Sequence, residues 1–79
     1  MERIFDRMET IKIRDEHIRL GQALKLAGLV DSGVDAKFVV QDGQVRVNGQ
    51  VETQRGKKLV DGDEVCFAGN TFVIESEKE

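Results

Sequence analysis

The apolar positions change period along the chain, and each change marks an element. From Thr10 to Arg14, Ile11 and Ile13 alternate with Lys12 and Arg14, the period of a short edge strand. Asp15-Glu16-His17 breaks that alternation. Leu20, Ala23, Leu24 and Ala27 then recur at helical intervals, with Leu26 and Leu29 widening the apolar face and Gly28 as the stop. A second helix opens at Ser32, whose hydroxyl can cap it, and Asp35 completes a short-armed capping box. Ala36, Val39 and Val40 share its inner face, and Gly43 ends it in the left-handed conformation. The brief joint Leu29–Asp31 makes the two helices cross as a hairpin or a right-angle pair.

Beyond Gly43 the period returns to two. Val45 and Val47 alternate with Arg46 and Asn48, and Asn48-Gly49 is a strong type I′ turn signal. Gln50–Thr53 is expected to return antiparallel, followed by a polar, basic loop from Gln54 to Lys58. Asp61-Gly62 marks a turn. Glu64–Ala68 and Thr71–Glu75 then form a second hairpin about Gly69-Asn70, with Val65, Phe67, Phe72 and Ile74 as core candidates. Met1–Glu9 has no clean period and reads as an extension that frays or packs as a loose turn, and the acidic end reads as a frayed tail. The order predicts an α+β domain, a two-helix unit packed on a small antiparallel sheet. Its expected boundaries are an extension over 1–9, the domain over 10–75 and the acidic tail over 76–79.

Composition narrows the function. A chain of 79 residues, 39% hydrophobic and without proline, supports one modest core. Its single cysteine, Cys66, excludes an intramolecular disulfide and the usual four-ligand structural zinc site. With no signal peptide and no long apolar run, a cytoplasmic protein is expected. The net charge of −3 argues against a general nucleic-acid coat protein, but it is unevenly spread. Residues 17–60 carry seven basic and four acidic groups, whereas 61–79 carry one basic and six acidic. Such a basic middle can focus an anionic partner onto one face, although an ordinary mixed surface accounts for it equally well.

No catalytic constellation is present. His17 beside Asp15 and Glu16 has no positioned nucleophile, so it reads as part of a solvated loop. Cys66 alternates with Val65 and Phe67, as a packed or half-buried thiol does. Asp61 and Asp63 lack the further oxygen ligands of a calcium loop, and the glycines match no phosphate-loop spacing. The four phenylalanines read as core, which leaves no stacking platform for bases. What remains is cationic: Arg19, Lys25, Lys37, Arg46, Arg55, Lys57 and Lys58. Lys25 and Lys37 lie off the apolar stripes, Arg46 points away from Val45 and Val47, and the Arg55–Lys58 loop can approach the same side. Cations at dispersed, structured positions suit recognition of phosphate by shape, and each also serves solubility.

The run from Ile18 to Gly49 resembles the RNA-binding domain named after small-subunit ribosomal protein S-four. The resemblance is carried by Arg19-Leu20, Gly28-Leu29, Ser32, Ala36, Val39-Val40, Gly43 and Val45-Arg46-Val47-Asn48-Gly49, and Gly62-Asp63 with Val65 fits the strand that follows. It extends over roughly Ile11 to Ile74. Two positions depart: Gly33 replaces an arginine common after the helix-opening serine, and Gly21 replaces an acid common after Arg-Leu. Leu24-Lys25-Leu26 and Val51-Glu52-Thr53-Gln54-Arg55 resemble the small standalone bacterial YbcJ-like branch. The resemblance implies an alpha-L fold that binds structured RNA, ribosomal or transfer, through the helix pair and following hairpin. Relatives often attach this domain to a catalytic one, for which this chain has no candidate. The missing arginine at Gly33 shifts weight onto Lys37, Arg46 and the Arg55–Lys58 loop.

The leading expectation is therefore a non-catalytic, monomeric RNA-binding module that engages ribosomal RNA or a ribosomal particle, with no cofactor, metal, membrane or small-molecule substrate. A protein-interaction adaptor that keeps the fold without RNA binding is the alternative, supported by the negative net charge and Gly33. A β-grasp sulfur carrier fits poorly, since it needs a C-terminal Gly-Gly where this chain reads Glu77-Lys78-Glu79.

Overall fold

The computed structural model describes residues 8–77. Among these residues, seven strands and two helices follow in the order β1 (Met8–Ile13), β2 (Ile18–Arg19), α1 (Leu20–Leu26), α2 (Gly33–Gln41), β3 (Val45–Val47), β4 (Gln50–Val51), β5 (Lys58–Leu59), β6 (Glu64–Phe67) and β7 (Asn70–Ser76). The expectation for Met1–Glu9 falls mostly outside the described residues; Met8 and Glu9 begin β1.

Both helices end as their glycines dictate. The N–H of Gly43 donates to the Val40 carbonyl and that of Gln44 to the Val39 carbonyl; Gly28 and Leu29 repeat this onto Lys25 and Leu24. These are paired Schellman closures, and Gly28 and Gly43 adopt the positive φ that the motif requires. At the start of α2, the Ser32 hydroxyl accepts from the Asp35 N–H at 3.2 Å.

The helices cover one face of a five-stranded sheet ordered β1-β7-β6-β3-β4. Leu20, Ala23 and Leu24 of α1 and Ala36 and Val40 of α2 form one core with Ile13, Val45, Val47, Val65, Phe72 and Ile74 from the sheet. Ile18 and Leu59 close this core from a separate two-stranded ladder, β2–β5. The β5 strand takes Lys58, the last residue of what the sequence reads as a polar loop. Two residues with one apolar side chain, Leu59, are too short to declare a strand.

Several expectations are corrected. The sheet is mixed rather than wholly antiparallel, because β1 pairs parallel to β7, with Ile11 opposite Ile74. Alternation tells which face a strand buries, not which neighbour it takes or in which direction. The parallel pair also carries the chain through Glu75 and Ser76 as strand, so the tail begins later than its acidity suggests. Leu26 is 60% exposed instead of widening the buried face of α1. Of the phenylalanines, Phe72 is core and Phe67 half-buried, Phe38 is 68% exposed, and Phe5 lies outside the described residues. Two positions after Ala36 on α2, Phe38 is rotated to the opposite side of the helix.

The second hairpin turns at Ala68-Gly69, one residue earlier than expected, with Phe67 opposite Asn70. Either register puts the same residues on the core face. The choice is made at the far end, where Gly62 donates to the Ile74 carbonyl and Ile74 to the Asp63 carbonyl. This forces Ala68 to φ 54°, where Asn48 in the first hairpin sits at φ 53°. The Asn48 side chain also donates to Asp63 (3.1 Å) and accepts from the Glu64 N–H (3.0 Å), bonds that join the first hairpin to the start of β6.

The two turns therefore predict opposite outcomes. Ala68→Asn is expected to stabilise the fold by about 1 kcal/mol, since asparagine tolerates the left-handed region better than alanine. Asn48→Ala is expected to cost about 1–3 kcal/mol, through broken hydrogen bonds as well as backbone strain. For a domain this size each kcal/mol moves Tm by roughly 4–8 °C, so thermal unfolding separates the two directions.

Candidate nucleic-acid interface

Helix α1 starts without a side-chain cap: Arg19 occupies the N-cap position and offers no acceptor to the first turn. The backbone of the 54–57 loop supplies what is missing. The Leu20 N–H donates to the Lys57 carbonyl at 2.8 Å and the Gly21 N–H to the Arg55 carbonyl at 2.9 Å. Helix-end N–H groups need such partners, so these bonds pin the loop against α1. The approach is close. A Cβ on Gly21 would stand 3.6 Å from Ala36 Cβ, from Arg55 Cβ and from the Arg55 carbonyl oxygen. Gly21, where the family resemblance leads one to look for an acid, is thus where α1, α2 and the loop meet.

A groove of about 400 Å³ lies over this junction, lined by Arg19, Gly21, Gln22, Lys25, Gly33, Ala36, Arg55 and Gly56. Its lining contains three cations and no carboxylate. Arg55 Nη1 lies 4.0 Å from the point a Cβ on Gly33 would occupy, and Arg19 Nη1 lies 3.5 Å from the corresponding point on Gly56. Arg55 thus brings a guanidinium to the start of α2, where Gly33 itself has none to offer. Across the β2–β5 ladder Arg19 is directly opposite Lys58, and both are exposed. Like charges in that relation repel, and a bound anion relieves the repulsion.

The seven sequence-derived cations therefore divide. Arg19, Lys25 and Arg55 converge on the groove and Lys58 adjoins it through Arg19. Lys37 is exposed one helical turn beyond Gly33 and is not part of the groove lining. Lys57 lines a different depression with Asn48, Glu52 and Asp63. Arg46 pairs with Cys66 and Val51 on the sheet face away from the helices, and its Nη1 donates to the Gly49 carbonyl at 3.4 Å. Arg55 does not approach the side of Arg46, because the α1 amides hold its backbone beside the helix. Gln22 also lines the groove, although the sequence reading does not single it out; its place three residues after Arg19, on the exposed side of α1, is the signal that marks it.

A basic groove thus lies at the junction of two short helices and the 54–57 loop. The chain belongs to the S4 domain family, whose model matches residues 11–75. YbcJ of Escherichia coli (strain K12), whose name refers to RNA binding, is 46% identical over 58 residues, covering 73% of this chain and 83% of YbcJ. RlbA of Bacillus subtilis (strain 168), named for ribosome maturation, is 44% identical over 59 residues, 75% of this chain and 83% of RlbA. The solution structure of E. coli YbcJ, described as revealing an alpha-L motif involved in RNA binding, superposes with a TM-score of 0.70 at 37% identity. That match covers 95% of this chain and 96% of the YbcJ chain. The α+β fold and the resemblance read from Ile18–Gly49 are thereby established. Among the described residues no helix is long and apolar enough to cross a membrane.

The opposed Arg19–Lys58 pair makes a prediction about stability alone. Lys58→Glu converts a like-charge cross-strand pair into an attractive one and is expected to stabilise the free protein by about 0.2–1 kcal/mol. Thermal unfolding at low salt measures this; an unchanged or lower Tm would show that the two side chains do not feel each other.

Proposed function

We propose that this protein is a non-catalytic, monomeric RNA-binding module of the cytoplasm that engages structured RNA, ribosomal before transfer RNA, through the basic groove between α1, α2 and the 54–57 loop. The observation that carries this reading is the groove lining itself. Arg19, Lys25 and Arg55 gather there without a carboxylate, in a chain whose net charge is −3. Phosphate contacts from guanidinium groups position a nucleic acid, and the groove shape selects which folded RNA fits. RNA binding in the YbcJ motif and the ribosome-maturation name of RlbA support ribosomal RNA as the target. Arg19, Lys25, Arg55 and Lys58 are the principal contacts, with Lys37 one helical turn beyond Gly33; Arg46 and Lys57 are left to surfaces outside the groove.

One observation favours the adaptor alternative. Val34 and Phe38, 62% and 68% exposed, stand one turn apart on the outer side of α2 and would suit a protein partner. Recovery of the protein from bacterial lysate with and without nuclease separates the readings. Ribosomal RNA retained at low salt and released on nuclease treatment supports the module, whereas a protein retained despite nuclease supports the adaptor.

The groove assignment makes a quantitative prediction for binding to purified ribosomal RNA. Arg19→Gln with Arg55→Gln is expected to reduce the slope of log K against log salt by about 0.7–0.9 for each phosphate that the variant no longer neutralises. A double variant with the parent slope and affinity would remove both side chains from the interface.

A further inference from the structure

Helix α1 has a groove on each side. Its exposed ridge carries Arg19 and Gln22, and both residues line the groove described above and a second one of about 390 Å³. Lys25 and Leu26 stand on opposite flanks of the ridge: Lys25 faces the first groove and Leu26 the second. The far wall of the second groove comes from the end of β1 and the turn after it, with Lys12, Arg14 and His17.

We propose that the RNA-binding surface crosses α1, so that one phosphate backbone occupies the first groove and continues into the second over Arg19 and Gln22. The inference rests on the RNA-binding reading above and extends it to Lys12, Arg14 and His17.

Charge is the first support. The two linings together hold five cations, Lys12, Arg14, Arg19, Lys25 and Arg55, against one carboxylate, Asp15. In a protein with fewer basic than acidic residues, such a continuous strip is a local reversal of sign, which focuses a polyanion along its length. Construction is the second. The far wall is tied down on both sides of Arg14: the Ser76 hydroxyl donates to the Asp15 carbonyl at 2.7 Å, and the Glu77 N–H donates to the Ile13 carbonyl at 2.9 Å. The turn is thus held against the end of β7, and its cations have a fixed place from which to bind.

The third support identifies the ligand class. Leu26, 60% exposed, forms part of the same wall as Arg19. Inorganic phosphate gains nothing from an apolar neighbour, whereas a polynucleotide presents ribose and base edges between its phosphates. Within the far wall, Arg14 is the stronger anchor, because Lys12 lies opposite Glu75 in the β1–β7 ladder, where a neighbouring carboxylate weakens its pull on an anion.

The test uses the full chain, fragmented bacterial ribosomal RNA as the probe, and salt-dependent filter binding as the readout. Three proteins are compared: the parent, Lys12→Gln/Arg14→Gln, and Arg19→Gln/Arg55→Gln, with thermal unfolding to confirm that each is folded. The slope for the Lys12/Arg14 variant is expected to fall by about 0.7–0.9 per phosphate, as it does for the Arg19/Arg55 variant. Arg14→Gln alone is expected to account for most of that fall. A parental slope in the Lys12/Arg14 variant, with the Arg19/Arg55 variant impaired, overturns the second groove and leaves the RNA reading intact. If the parent itself fails to bind the RNA, the underlying reading falls and the inference falls with it.

Discussion

Helix α1 is only seven residues long, and the N–H groups of Leu20 and Gly21 at its start find their acceptors outside it, on Lys57 and Arg55. A helix of two turns is unstable in isolation, and its uncapped end makes it more so. Those two bonds therefore hold the helix and position the loop in one step. They fix the backbone of Arg55 beside α1, and the absence of side chains on Gly21 and Gly33 leaves room for its own side chain to run across to α2. The adjoining β2–β5 ladder buries Ile18 and Leu59 beneath while turning Arg19 and Lys58 outward. The basic groove is thus a consequence of how α1 is completed rather than an addition to a finished fold.

This arrangement explains how an acidic protein presents a cationic face. The acidic C-terminal part of the chain forms β6, β7 and the turns around them, whereas Arg19, Lys25 and Arg55 are collected on the helix side. Net charge sets the long-range field and solubility; the local lining sets what docks. The same separation assigns Gly33 a role. The family resemblance leads one to look for an arginine there, and here Arg55 reaches that place from the loop, so the cation is retained in space although not in sequence.

Much of the fold was legible because local chemistry and tertiary packing agree. Ser32, Gly28, Gly43 and Asn48-Gly49 act in the structure as their side chains dictate, and Val45, Val47, Val65 and Phe72 bury as their alternation requires. What was not legible depends on partners distant in sequence. The parallel pairing of β1 with β7 joins the two ends of the domain, and nothing in Ile11 or Ile13 specifies the neighbour. The Ala68-Gly69 turn overrides its own local preference because the other end of β7 fixes the register. In the site, the residue types were readable but not their grouping. Arg46 and Arg55 look alike as exposed cations after α2, and only the backbone bonds to α1 send them to different faces.

In the proposed function, RNA meets the helix side of the molecule and not the open face of the sheet. An isotope-labelled sample titrated with a ribosomal RNA hairpin, followed by backbone amide resonances, tests this most directly. Shifts are expected to concentrate at Leu20, Gly21, Gln22, Gly33, Arg55 and Gly56, with Arg46, Cys66 and Val73 little changed. Shifts concentrated at Arg46, Cys66 and Val73, with the groove amides unmoved, would contradict it.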